Sequence, residues 1–342
     1  MRFQASEPNR LGTSSAPGRE PCVRPKAHLP LIQLMSGLGP QASALTPHNI
    51  GSSAVLFRSN DLIFILHICT FQELHREGHR VWRQPTTMTA VESLKLAAKR
   101  LSLHCDEAIA ALESSGHVAH ATNPLNYAWD HHVQFIEQWG GLGATTLLLG
   151  MNPGPWGMAQ TGVPFGATQV AKDFLRIEAR TLETPNNAHP KRPILGMELE
   201  RQEVSGTRLW NLMEELYGSP EATFANLFVV NHCPLLLLGE RGQNITPDKV
   251  PKALIGPVLE ACDDHLRKVV DIMGITRIVG VGKYAEQRAR LAFNAEKKGY
   301  GTTASGREIQ ITTCWHPSPA SPLANRNDGA DWRQNVRNVL ID

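Results

Sequence analysis

A chain of 342 residues with 42% apolar and 19% charged side chains can bury a sizeable core. It is long enough for two domains or one large α/β domain with an appendage, and wholesale disorder is excluded. The net charge of +2 is uneven, since residues 1–87 hold nine basic and five acidic side chains and leave the rest slightly acidic; a nucleic-acid partner would need a local basic face.

In chain order, residues 1–53 are rich in Pro, Ser, Gly and Asn and read as disordered or loosely held. They open without the apolar run of a secretory signal. The longest apolar stretch, around residues 62–71, is too short to cross a bilayer. Cys22, Cys69, Cys105, Cys233, Cys262 and Cys314 are scattered with no CxxC pair. That argues against a zinc ribbon, an iron–sulfur cluster or a disulfide scaffold, and fits reduced thiols in a cytoplasm. From Met88 the character changes. Val91, Leu94, Leu96, Ala97, Leu101, Leu103 and Ile109 recur at near-helical spacing up to Gly116, and Thr89 is placed to cap that helix. The chain is expected to divide into an extension, 1–87, and a folded body, 88–342. The extension is either functional or chain ahead of the true start.

Four segments read as strands: 145–151 (TTLLLGM), 223–230 (TFANLFVV), 277–281 (RIVGV) and 308–315 (EIQITTCW). Helical stretches at 205–217, 251–273 and 284–297 lie between them. Short apolar strands alternating with helices predict a parallel sheet covered on both faces. Ligands in such sheets bind beyond the carboxyl ends of the strands.

Three loops follow strand ends. The first, GMNPGPWGMAQTGVPFG at 150–166, holds five glycines and three prolines within seventeen residues. Glycine lets backbone approach closely and proline stiffens, which suits a preorganised pocket. It is no phosphate loop, because no Gly-Lys-Ser/Thr follows; nor is Gly280-Val281-Gly282-Lys283, where Tyr284 follows the lysine. The second loop is Asn231-His232-Cys233-Pro234-Leu235. Its Asn231 is either a turn former or a reader of an acceptor–donor pair on a nucleobase edge. The third is His316-Pro317-Ser318-Pro319-Ala320-Ser321-Pro322, which holds an imidazole on a proline-stiffened loop. A Cys314–His316 nucleophile pair is weighed and set below a core role for Cys314. His131/His132 and His117/His120, in or near helices, suggest no third metal ligand.

With NPLNYAW at 123–129 and VGVGKYAEQRAR at 279–290, these strings resemble the single-strand-selective monofunctional uracil-DNA glycosylase family, of a bacterial type. The resemblance covers about residues 100–340. It implies a three-layer α/β/α sandwich around a central, mainly parallel four-stranded sheet, and hydrolysis of the N-glycosidic bond of uracil, and of 5-oxidised uracils, in DNA. Asn152 matches the holder of the attacking water, and His316 the residue that stabilises charge at uracil O2. Met151 backbone lines the pocket, Phe165 stacks on the base and Asn231 reads its edge. Pro317, Ser318, Pro319, Ala320 and Ser321 fall where the family inserts a wedge into DNA, with Arg326, Arg333 and Arg337 behind it. Two departures stand out: Ala320 replaces an expected Arg, and the loop RNDGAD at 326–331 is long. No cofactor or metal is implied. The partner is single- or double-stranded DNA, and the protein a monomer. Rival readings are a mismatch-directed or deaminated-purine enzyme of the same superfamily, or a silent DNA-binding module.

The chemistry of the loops agrees with the resemblance. They hold no paired carboxylates, which a sugar glycosidase needs. A uracil anion spreads its charge over the imide and can leave if donors stabilise it. They also hold no lysine for Schiff-base lyase chemistry.

Overall fold

The computed structural model describes residues 88–295 and 299–341, together with the backbone of three strands between residues 46 and 67. The chain divides into two compact units, Met1–Arg83 and Gln84–Asp342. In the first, β1 (Thr46–Asn49), β2 (Ala54–Ser59) and β3 (Leu62–His67) pair antiparallel in chain order. β1 falls inside the stretch read as unstructured, because four residues are too few for an alternation to register. Cys22 and Cys69 lie outside the described residues.

The second unit opens with α1 (Ala90–Ser114). Thr89 caps it as expected: its hydroxyl accepts from Glu92 N (3.2 Å) and its own N–H donates to the Glu92 carboxylate (2.8 Å), a reciprocal capping box. Leu94, Ala98, Leu101, Cys105 and Leu112 form its buried face. β4 (His120–Thr122), α2 (Pro124–Tyr127) and α3 (Trp129–Trp139) follow. His120 therefore heads a strand, while His131 and His132 are helical and buried.

β5 (Thr146–Gly150) comes next, then α4 (Met158–Thr161), α5 (Thr168–Asp173), α6 (Val204–Tyr217) and α7 (Pro220–Asn226). β6 (Leu227–Asn231) starts four residues later than expected, since residues 223–226 are helical. The start signal is Ser219-Pro220: the Ser219 hydroxyl accepts from Ala222 N at 3.2 Å, with Pro220 in the first turn. β7 (Leu236–Leu238) and β8 (Asn244–Ile245) join β4 in a small antiparallel sheet. Then come α8 (Lys252–Met273), β9 (Arg277–Val281) and α9 (Lys283–Ala292). α9 stops short of the expected 297; beyond it Asn294 turns left-handed, φ 49°. β10 (Tyr300–Thr302), β11 (Glu308–Cys314) and α10 (Ala330–Ile341) complete the unit.

The main sheet has five strands, in the order β10-β11-β9-β5-β6, rather than four. The extra strand, β10, pairs antiparallel at the edge, and its three residues carry too little pattern to be seen in sequence. The other four are the expected parallel strands. Every residue of β5 is buried. Successive residues point to opposite faces, so both faces of the sheet must be covered, and the architecture is a three-layer α/β/α sandwich. No helix among the described residues is long and apolar enough to cross a membrane.

Candidate active site

The three loops meet. A cleft of about 310 Å³ is lined by Met151, Asn152, Phe165, Asn231 and His316, with Ser318 at its edge. Parallel pairing sets this up, since Gly150 opposes Asn231 in the β5–β6 register. The ladder continues past the strand ends, with His232 N donating to Gly150 O (3.0 Å) and Cys233 N to Met151 O (2.9 Å). Residue 150 must be glycine. A Cβ there would lie 2.1 Å from Asn231 Oδ1 and 2.7 Å from the Phe165 ring.

The first loop is rigid for identifiable reasons. Buried Gln160 donates to the carbonyls of Pro155 (2.8 Å) and Pro193 (3.0 Å) and accepts from Leu195 N and Gly196 N. Thr161 Oγ1 donates to Gly166 O at 2.9 Å. Phe165 is held in the left-handed region at φ 53°, a strained conformation for a bulky residue of the kind found at ligand sites. Its ring centroid is 6.4 Å from that of His316.

Asn231 is buried, and its Nδ2 donates only to the weak acceptor Met158 Sδ (3.1 Å). Its Oδ1 is buried with no donor. Leaving such an acceptor unpaired costs about 1–3 kcal/mol. A ligand N–H would relieve it. Asn152 is partly exposed; its Nδ2 makes two long contacts (3.4 Å each) to Pro153 O and Asn244 Oδ1. Its carbonyl oxygen accepts from no donor among the described residues. Asn244 was not picked out in sequence. It reaches the site only because the β7–β8 hairpin folds over Pro153, whose carbonyl accepts from its Nδ2 (3.2 Å).

Ser318 N donates to His316 Nδ1 at 3.1 Å, which leaves the ring proton on Nε2. Burial holds the imidazole down at about 4, so it is neutral at neutral pH and still a donor. Cys314 is buried and its thiol is pushed up to about 12, so it supplies no thiolate. Residues 317–325 are braced from α6: Arg208 donates to Pro317 O (3.1 Å), Ala324 O (3.4 Å) and Asn325 Oδ1 (3.1 Å), and Asn325 Nδ2 to Pro319 O (2.7 Å). Pro317 is buried, Pro319 and Ala320 are exposed, and Ser321 is half-buried. Leu323, three residues after small Ala320, is exposed and offers apolar bulk to this segment. Of the three arginines behind the wedge, two have carboxylate neighbours: Arg337 bonds Glu215 (2.5 Å) and Arg326 lies 3.9 Å from Asp331. Arg333 is exposed on α10 and makes no ion pair among the described residues.

Glu203, which also escaped the sequence reading, lines the cleft with Asn152 and His316. Its carboxyl oxygens lie where Gly154 and Gly157 would carry a Cβ, 1.8 Å from each ideal position. Burial pushes it up from 4.5 to about 7. The folded state therefore keeps a proton that the unfolded chain gives up, and stability falls as pH rises between those values. Glu203→Gln should abolish that decline and be more stable than the parent by about 1–3 kcal/mol at pH 8, with little difference at pH 4. Urea unfolding of both proteins at the two pH values checks this; parallel pH dependences would show that the carboxyl is not desolvated.

A larger groove of about 610 Å³ runs past Asp106, Asn126, Asp130 and residues 181–187 and contains none of the loop residues above. Among the described residues no cluster of three or more His, Cys, Asp or Glu could hold a metal ion.

The family model described as Uracil DNA glycosylase superfamily matches residues 138–340. Single-strand selective monofunctional uracil DNA glycosylase of Bos taurus is 42% identical over 224 residues, 66% of this chain and 79% of that protein. The Rattus norvegicus protein of that name is 44% identical over 204 residues (60% and 70%), and that of Mus musculus 42% over 217 (64% and 74%). The crystal structure of wild-type Pedobacter heparinus SMUG2 aligns with a TM-score of 0.48 at 17% identity, covering 74% of this chain and 96% of that one. The superfamily match spans the whole cleft, and the three mammalian proteins are each more than two-thirds covered, so this chain belongs to the uracil DNA glycosylase superfamily, in its single-strand selective monofunctional family.

Proposed function

We propose that this protein is a monofunctional uracil-DNA glycosylase of base excision repair, which hydrolyses the bond between uracil and deoxyribose and leaves an abasic site. One observation carries most weight: a buried asparagine oxygen without a donor, Asn231 Oδ1, beside an aromatic ring at a strand end. Uracil fits it, since N3–H can donate to Oδ1 while O4 accepts from Nδ2. The base must be flipped out of the helix to reach that position, with Phe165 as its stacking floor.

As C1′–N1 breaks, both electrons go to uracil and charge gathers at O2. The Nε2–H of neutral His316 stabilises it, worth on the order of 3–4 kcal/mol for one such donor. Asn152 Oδ1 orients a water toward the cationic sugar, and that water forms the new C–O bond while its proton leaves to solvent. Among the described residues no lysine lines the cleft, so no Schiff base with the abasic sugar is expected and the strand should stay uncut. Pro319, Ala320 and Leu323, exposed residues of this segment, enter the vacated stack while buried Pro317 anchors it, and Arg333 is the arginine behind the wedge best placed to meet a phosphate.

We assign no cofactor, take a monomer in a cytoplasm as the working state, and assign catalysis to 88–342. A single-turnover assay on single-stranded DNA with one uracil, developed by alkaline cleavage, should give strand breaks only after alkali and the same rate in EDTA. Absence of alkali-labile sites would sink the reading, and loss of activity in EDTA would refute the metal-free scheme.

A further inference from the structure

We propose that Trp156, Arg192 and Arg201 form a second contact for the DNA backbone, on a rim of the cleft separate from the wedge loop. This rests on DNA being the substrate.

Trp156 is half-buried and directly follows Pro155, which lines the cleft. Two guanidinium groups stack on its ring: Arg192 with its Cζ 5.0 Å from the centroid, and Arg201 at 4.3 Å. Arg201 lies two residues before Glu203, another cleft residue, so both partners of Trp156 are held at the mouth. Arg192 is fixed further by its Nε donating to Gly242 O (2.9 Å) and its Nη1 to Lys191 O (3.0 Å); its Nη2 edge stays unused. Lys191 and Arg241, each beside a residue in that contact, are exposed.

None of these four cations makes an ion pair among the described residues, although exposed Glu200 and Glu240 adjoin them in sequence. The contrast with Arg326 and Arg337 is direct, since those have carboxylate neighbours. Two guanidinium groups gathered on one ring repel each other, and among the described residues no carboxylate lies within ion-pair distance of either. An aromatic face fixes their long side chains while leaving N–H edges outward, where a planar fork matches phosphate oxygens. A phosphodiester backbone supplies the missing anions. The slightly acidic body gives no other reason for a nucleic acid to approach this side of the cleft.

The test uses the full chain and an undamaged single-stranded oligonucleotide, titrated across salt. Each phosphate contact contributes about 0.7 to the slope of log affinity against log salt on single strands. The double variant Arg192→Ala/Arg201→Ala should flatten that slope by about 1.4, and Arg201→Glu alone, at an exposed position, by at least about 0.7. Uracil release at saturating DNA should match the parent for both. A parent that releases uracil, with slopes unchanged in both variants, overturns the contact and leaves the glycosylase reading intact. A parent that binds DNA but never releases uracil overturns the glycosylase reading, and the slopes still decide the contact.

Discussion

Asn152→Ala and His316→Ala proteins should bind uracil-containing DNA almost as tightly as the parent yet release uracil roughly 10²-fold more slowly, or worse, as for a lost oxyanion donor. Both side chains face the cleft without serving as its floor. Asn152 is tied to the protein only through Nδ2, by contacts of 3.4 Å, so truncating it removes an orienter of water and little else. In the proposed mechanism His316 acts on charge that exists only as the bond breaks. Its loss should therefore appear in the rate at saturating DNA rather than in affinity. Because the imidazole titrates at about 4, the parent's dependence on His316 should be flat from pH 5 to 8. Single-turnover rates beside equilibrium binding separate the two effects. An alanine variant that lost affinity and kept its saturating rate would move that residue from chemistry to capture.

Asn231→Asp should lower kcat/KM for uracil by about 10²-fold, the cost of one mispaired buried hydrogen bond. Asparagine offers one acceptor and one donor, which match N3–H and O4 of uracil. Aspartate offers O4 a second acceptor, and two acceptors face each other in a site from which water is excluded. Only the minor protonated form has an O–H, which suits N3 of cytosine while its carbonyl accepts from the amino group. A trace of cytosine release is expected, limited by the poorer leaving group. Competing uracil and cytosine substrates in one mixture gives the ratio directly. Undiminished uracil release would take Asn231 out of the pocket.

Legibility followed the range of the interactions. The parallel strands could be read because each is a short apolar run bounded by turn residues, and the loops because unusual glycines, prolines and aromatics gather after strand ends. Met151, Asn152, Phe165, Asn231 and His316 were named from those loops and do line one cleft. β10 and the late start of β6 escaped, the first for shortness and the second because Ser219-Pro220 outweighs the β-like composition of residues 223–226. Glu203, Asn244 and Arg208 could not be found. Their neighbours in space are 40 to more than 100 residues away in sequence, and nothing local about a glutamate at a helix start marks it as a cleft wall. The ion pairs of Arg326 and Arg337 bear on the same point, since charge is visible in sequence and its neutralisation is not.

The brace that Arg208 and Asn325 place on residues 317–325 has a thermodynamic consequence. A flexible wedge would lose its backbone freedom at the moment it entered the base stack, and that entropy would be subtracted from affinity on every encounter. With prolines at 317, 319 and 322 and five side-chain hydrogen bonds already closed, most of that loss is taken once, when the chain folds. On the proposed wedge role, association with DNA should carry little of the heat-capacity signature of coupled folding, and the loop should withdraw and reinsert without refolding each time.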